Sequence, residues 1–312
     1  MISSVFGKTK PVNYILVLSV LFGFYWLVKG VRFGPQLTVD TLPADLLFAT
    51  VLLFSVLVVN FIVQRNQLTG AHSYAIYFFG LMIVLFPETL LDGSAVIANL
   101  FLLLAMRRLI SLKSLKDVKS KVFDASLWIA VSSLLVDWML LFLILVWLYV
   151  YFYQPESIRN WLIPLAAVFT VGIMAYAVSL LAGHPGYFQT HYSLKWQGTA
   201  EYWSHWRNAV KLALYLAAIL VSGFVGFIKL GKSGHGKIVS MRLLAICLLI
   251  GMAIVLLRSS TLGNPVILTF FPASVILSKY IESLRRDNIR EGMLLGALLL
   301  SIVVMLGQWV VK

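Results

Sequence analysis

DASLWIAVSSLLVDWMLLFLILVWLYVYFY, residues 124–153, is apolar for nearly its whole length and carries one charge in its interior, Asp137. A helix crosses the roughly 30 Å hydrocarbon core with about 20 residues. A single helix here is therefore too long, and it holds Asp137 near the bilayer midplane. An isolated carboxylate at that depth costs about 2.5–3.5 kcal/mol even on the lenient insertion scale. Two helices with a turn at Leu135–Asp137 bring the carboxylate to an interface, although each half is then short for a full span. The choice inverts everything that follows in the chain, and the basic residues decide it. With a cytoplasmic N-terminus, the two-helix reading gathers most of the 25 Lys and Arg residues on the cytoplasmic side. The one-helix reading divides them almost evenly. The positive-inside bias favours the turn.

Working outward, further apolar stretches lie near 13–29, 44–63, 73–87, 94–111, 161–182, 208–230, 239–257, 262–281 and 291–311. The 312 residues are 61% hydrophobic and 12% charged, with a mean hydropathy of +0.93. A folded chain in water cannot hide that much apolar surface. The expectation is an all-α, polytopic transmembrane helix bundle, one domain over 1–312, with about eleven membrane segments. Its N-terminus is expected in the cytoplasm and its C-terminus in the periplasm. Loops are short, and the longest polar stretch, about 184–207, leaves no room for a soluble domain. Lys8 and Lys10 precede an apolar run in the manner of a signal peptide, but no small-residue cleavage site follows, so the run reads as a retained first helix. The single Cys247, in LLAICLLI, excludes an intrachain disulfide and reads as a buried thiol. The net charge of +13 is spread over helix ends. It points to anionic lipid and topology, not to nucleic acid.

The two ends of this bundle should differ in chemistry. The outer end collects Asp40, Asp45, Glu88, Asp92, Asp137, His184, His191 and His205. Asp40 and Asp45, in the first outer loop, suit metal coordination or general-base work on a lipid-linked substrate. Asp45, two residues after Pro43, equally suits a helix N-terminus, where the dipole favours a carboxylate. Glu88 and Asp92 stand four apart, on one face if FPETLLDGS is helical, and with Asp137 they would form a small acidic site. The segment GHPGYFQTHYSLKWQGTAEYWSHWRN interleaves His184, His191 and His205 with aromatic rings and with Lys195 and Arg207. Trp196, Trp203 or Trp206 beside those cations would suit a sugar or phosphorylated head group. An interfacial aromatic belt accounts for the same composition. The His spacings match no metal signature, so no metal site is expected there.

At the inner end, Arg107 and Arg108 with Lys113, Lys116, Lys119 and Lys121 could grip a polyprenyl or phospholipid phosphate, or simply set topology. Pro265 and Pro272 should kink one span. Gly292 and Gly296 form a GxxxG pair suited to close helix contact. No P-loop, GxSxG, HExxH or CxxC pattern occurs.

MISSVFGKTKPVNYILVL (1–18), FPETLLDGSAVIANLFLLLAMRRLISLKS (86–114), KVFDASLWIAVSSLL (121–135) and IRNWLIPL (158–165) resemble a family of polytopic integral membrane proteins from flavobacteria and their relatives. That resemblance implies the inner membrane of a Gram-negative envelope and no particular chemistry. A weaker, architectural resemblance is to glycosyltransferases that use polyprenyl-phosphate sugars. Those have acids in the first external loop and short paired helices joined by basic inner loops, as in AMRRLISLKSLKDVKSKVFDASLWIAVSSLLVDW. The adjacent Asp–Glu pair of that pattern is missing here, and architecture alone carries no function.

Three functions stay open. The first is a non-catalytic membrane subunit or scaffold of an envelope complex, with lipid and other membrane proteins as partners. The second is a lipid-linked sugar transferase or polymerase at the outer face, with Asp40 or Asp45 as base and a divalent metal as its only conceivable cofactor. The third is a carrier of lipid or a small solute. Ion-coupled transport is weakest, since ionisable residues inside the spans are few.

Overall fold

The computed structural model describes residues 2–33, 40–193, 206–230, 235–258 and 264–310. They form helices and connecting turns, with no strand among the described residues. The helices are α1 (Ile2–Phe6), α2 (Pro11–Phe33), α3 (Leu42–Arg65), α4 (Tyr74–Leu85), α5 (Gly93–Ile110), α6 (Val118–Ser133) and α7 (Leu143–Tyr153). They continue with α8 (Ile158–Leu181), α9 (Tyr187–His191), α10 (Trp206–Leu230), α11 (His235–Arg258), α12 (Phe270–Glu282) and α13 (Asp287–Val310). Eight helical segments are long and apolar enough to cross a membrane.

Two kinds of helix make the bundle. α2, α8, α10 and α13 are long and turn much of their apolar surface outward: Phe169, Leu181, Leu220, Phe224 and Val303 are all exposed. Water would penalise that surface, whereas hydrocarbon does not. Inside them lie shorter pieces. The twelve residues of α4 are apolar all round and nearly all buried, as a helix enclosed by protein must be. At 1.5 Å per residue it spans only about 18 Å. Its neighbours, not lipid, surround its ends.

The decisive stretch is broken. α6 stops at Ser133, residues 134–136 form a turn that ends in the extended Val136, and a 3₁₀ turn runs from Asp137 to Phe142 before α7 begins. Two other 3₁₀ turns interrupt the interior, Pro87–Leu91 between α4 and α5, and Pro265–Thr269 leading into α12. Irregular backbone survives at membrane depth only where protein encloses it, and most residues of these turns are buried. The turn Pro265–Thr269 packs on α5, α11 and Pro87–Leu91. Thr269 donates to the Val266 carbonyl and shares a 2.7 Å hydrogen bond with Tyr215 of α10.

Two expectations are corrected. The 262–281 span is not one helix kinked at two prolines. Pro265 opens the 3₁₀ turn and Pro272 sits in the first turn of α12, where a missing N–H costs nothing. The GxxxG pair makes no close contact either: a Cβ at Gly292 or Gly296 would meet nothing within 4 Å. The close approaches are elsewhere. A Cβ at Gly93 would lie 2.5 Å from the Phe48 ring, and one at Gly251 would lie 2.8 Å from the Thr269 methyl. Cys247 is fully buried.

Candidate functional site

The acids expected at the outer end lie where α3, α5 and the helix breaks begin, and folding gives most of them a partner. Leu42–Pro43 opens α3 with Asp45 in its first turn. Its buried carboxylate receives Lys29 of α2 at 2.7 Å and the Tyr25 hydroxyl at 3.3 Å. Asp40, just before α3, is exposed. Glu88 sits in the Pro87–Leu91 turn and accepts from Lys211 of α10 at 2.8 Å. Lys211 is 3% exposed and lies 5.6 Å from the centre of the Phe86 ring. An ammonium so enclosed needs an anion, because an unpaired buried charge is prohibitively costly.

Glu88 and Asp92 do not form an acidic pair. The turn between them is 3₁₀, where residues four apart diverge. Asp92 is instead the N-cap of α5, accepting the Ala95 N–H at 2.9 Å. Among the described residues no three His, Cys, Asp or Glu side chains come together in a way that could hold a metal ion. Asp45 and Glu88 therefore belong to two separate structural pairs, and Asp92 to a helix cap.

Asp137 is the exception. It is 3% exposed, its Oδ1 accepts the Trp138 N–H at 2.9 Å, and Arg258 at the end of α11 lies 3.9 Å away. Its Oδ2 is buried with no hydrogen-bond partner, and so is the nearby Trp138 indole nitrogen. The aromatic segment folds onto this break. Tyr187 donates to the Leu134 carbonyl at 2.7 Å, His191 Nε2 meets the Ser133 carbonyl at 2.8 Å, and Tyr192 shares a 2.9 Å bond with the Ser133 hydroxyl. The first two of these contacts serve orphan carbonyls at the end of α6. Burial pushes the Tyr192 phenol above its ordinary range; the Ser133 bond lowers it, and the Asp137 charge adds to the rise.

His184 has a local explanation. Gly183, at φ +75°, ends α8, its N–H bonding Leu180 and the His184 N–H bonding Ser179. That is the paired 5→2 and 6→1 closure of a helix C-terminus. With Tyr187, His184 also borders an apolar cavity of about 550 Å3 between α6 and α8. Lys195, Trp196, Trp203 and His205 lie outside the described residues. So do the side chains of Trp206 and Arg207, whose backbone opens α10.

The basic loop expected at the inner end does not converge on one point. Arg107 lies over the Phe61 ring at 4.7 Å, Arg108 pairs with Asp124 at 3.0 Å, Lys113 donates to the Asn66 carbonyl, and Lys121 to Ser111 and Ser114. These four side chains meet five separate residues and join loops, and they do not gather at one point.

Sequence reasoning missed Lys29, Lys211 and Arg258 as the partners of the acids. For Lys211 a signal was present, since a lysine five residues into an apolar helix needs an anion. No family model, curated protein or solved structure matches this chain.

Proposed function

We propose that this protein is a non-catalytic membrane subunit, a helical scaffold that holds neighbouring membrane components within an inner-membrane complex of the cell envelope. The observation that carries the reading is the neutralisation of the acids: Asp45 by Lys29, Glu88 by Lys211, with Asp92 spent as a helix cap. A general base needs a free carboxylate near the proton that it takes, and these three are committed to two ion pairs between elements and one helix cap. Clefts in the outward surface fit the scaffold role. One of about 480 Å3, lined by Phe78, Leu85, Leu214, Val221 and Gly296, opens among α4, α10, α12 and α13 and accepts an apolar chain or helix.

Blue native electrophoresis of source membranes solubilised in mild detergent tests this reading. The chain should migrate in an assembly well above its 34.9 kDa, and a variant without the Lys211–Glu88 pair should lose abundance and assembly together. Migration as a lone chain would overturn the proposal.

A second reading, sugar transfer from a polyprenyl carrier, is favoured by the buried Oδ2 of Asp137, which has no hydrogen-bond partner. It would move the catalytic base from Asp40 or Asp45 to Asp137. Asp137→Asn with normal abundance, normal assembly and lost function would support it.

A further inference from the structure

The opposite end of the bundle holds a polar cavity that none of these readings uses. The short α1 is strapped across it. Glu291 of α13 accepts the backbone N–H groups of Ile2 and Ser3, the latter at 2.8 Å, while the Phe6 carbonyl accepts from Ser73 at 2.8 Å and the Phe6 ring packs on Tyr77. Beneath this strap lies a space of about 500 Å3, bordered by Lys8, Lys10, His72, Tyr74 and Arg290 and also by Glu282 and Asp287.

Three buried nitrogen atoms there have no hydrogen-bond partner: both ring nitrogens of His72 and the Nε of Arg290. His72 is 7% exposed, its ring rests on Tyr74 at 4.4 Å, and its carbonyl is held by Gln64 at 2.9 Å. Its Nε2 stands 3.6 Å from Glu282, beyond a good hydrogen bond, and its Nδ1 has none. Arg290 donates one terminal nitrogen to the Leu284 carbonyl and pairs the other with Asp287, which leaves its Nε buried and unpartnered. Buried polar groups left this way cost about 1–3 kcal/mol each, so they are uncommon without a ligand or water to meet them.

The two acids are already engaged. Glu282 takes Lys279 at 2.7 Å and the Gly70 N–H at 3.2 Å, and Asp287 takes Arg290 at 3.0 Å. Lys8 and Lys10 are exposed and have no ion pair among the described residues. The cavity thus offers several N–H donors and a surplus of positive charge, the requirements of a multi-oxygen anion.

We propose that this cavity binds a phosphate group, with His72 and Arg290 donating from inside and Lys8 and Lys10 closing from the mouth. The site lies at the starts of α2 and α13, where apolar helix gives way to polar loop and phospholipid head groups would lie. A phospholipid phosphate and a soluble phosphate both satisfy the chemistry. The site is independent of the scaffold reading and of the acids at the other end.

The test uses the full chain in nanodiscs and follows thermal unfolding and native mass spectrometry. One arm adds inorganic phosphate to phosphatidylcholine discs, and the other compares phosphatidylcholine discs with and without phosphatidylglycerol. Stabilisation by inorganic phosphate supports a soluble ligand, and stabilisation or retention of phosphatidylglycerol supports a lipid one. In either arm, Lys8→Gln/Lys10→Gln and His72→Gln should weaken the response about tenfold or more. The lysine variant alters exposed side chains, so its fold should persist even if His72→Gln unfolds. Lys116→Gln/Lys119→Gln, in the basic loop, should respond as wild type. The proposal is overturned by no response in either arm, by a response that the cavity variants retain in full, or by an equal loss in the loop variant.

Discussion

Lys211 of α10 reaches Glu88 across 123 residues of sequence, ammonium to carboxylate at 2.8 Å, with the lysine side chain only 4% exposed. The pair fastens an outer helix to a break in the interior. A buried pair need not beat an apolar substitute of the same shape, but removing one member strands the other charge. Lys211→Met should therefore destabilise by about 3–5 kcal/mol, read as a lower unfolding midpoint in detergent. Lys211→Met/Glu88→Leu should recover most of that loss. A double variant as unstable as the single one would show that the charge is needed for more than pairing.

The same reasoning applies to Lys29 and Asp45, which tie α2 to α3 at 2.7 Å. Asp45→Asn keeps the shape and removes the charge, leaving Lys29 with a weaker partner. The expected result is reduced accumulation in the membrane, whereas Asp40→Asn, at an exposed position, should accumulate as wild type. If Asp45→Asn accumulates normally while function is lost, the carboxylate has a chemical role.

These pairs mark the limit of what the chain alone reveals. The break near Asp137 is legible because one residue carries a definite membrane penalty, and the break falls at 134–136. Asp45 at a helix start is legible from Pro43. Partners are not: nothing local links Lys211 to Glu88 or His72 to Glu282, because those contacts follow from tertiary packing. The interior 3₁₀ turns are hidden for a related reason. Apolar runs such as 73–87 look like complete spans, yet α4 stops after twelve residues because the protein around it removes the need to cross lipid. The glycines mislead in the opposite sense. Gly292 and Gly296 carry the recognisable spacing but face open space, and the tight contacts fall at Gly93 and Gly251.

That contrast is measurable. A Cβ at Gly93 would press into the Phe48 ring, so Gly93→Ala must displace an aromatic side chain between α3 and α5. Overpacking of this kind costs about 1–3 kcal/mol, and Phe48→Leu in the same chain should relieve part of it. Gly292→Ala and Gly296→Ala meet no neighbour and replace a poor helix former, so they should be neutral or stabilising by up to about 1 kcal/mol. A large loss of stability at Gly296 would reveal a contact with another chain.

The aromatic segment gives a local prediction. Tyr187 and Tyr192 hold the last turn of α6 through Leu134 and Ser133. Tyr187→Phe/Tyr192→Phe removes two hydrogen bonds at little change in volume, at about 0.5–1.5 kcal/mol each. Amide exchange over residues 133–137 should accelerate while α5 is unaffected. Unchanged exchange would mean that packing alone holds the break.

Orientation can be tested at exposed positions in otherwise unlabelled protein, since Cys247 is buried. Lys116 precedes α6 and Glu156 follows α7, and both are exposed. If the chain turns back between those helices, Lys116→Cys and Glu156→Cys lie on one side of the membrane; if 124–153 crosses once, they lie on opposite sides. With a cytoplasmic N-terminus, neither should react with an impermeant maleimide until the membrane is opened, and Asp40→Cys should react at once. The basic surplus at the first two positions and the bias that sets such surpluses inside motivate this expectation. Reaction of only one of Lys116→Cys and Glu156→Cys in intact cells would sink the hairpin. Reaction of both with Asp40→Cys protected would keep the hairpin and invert the whole chain.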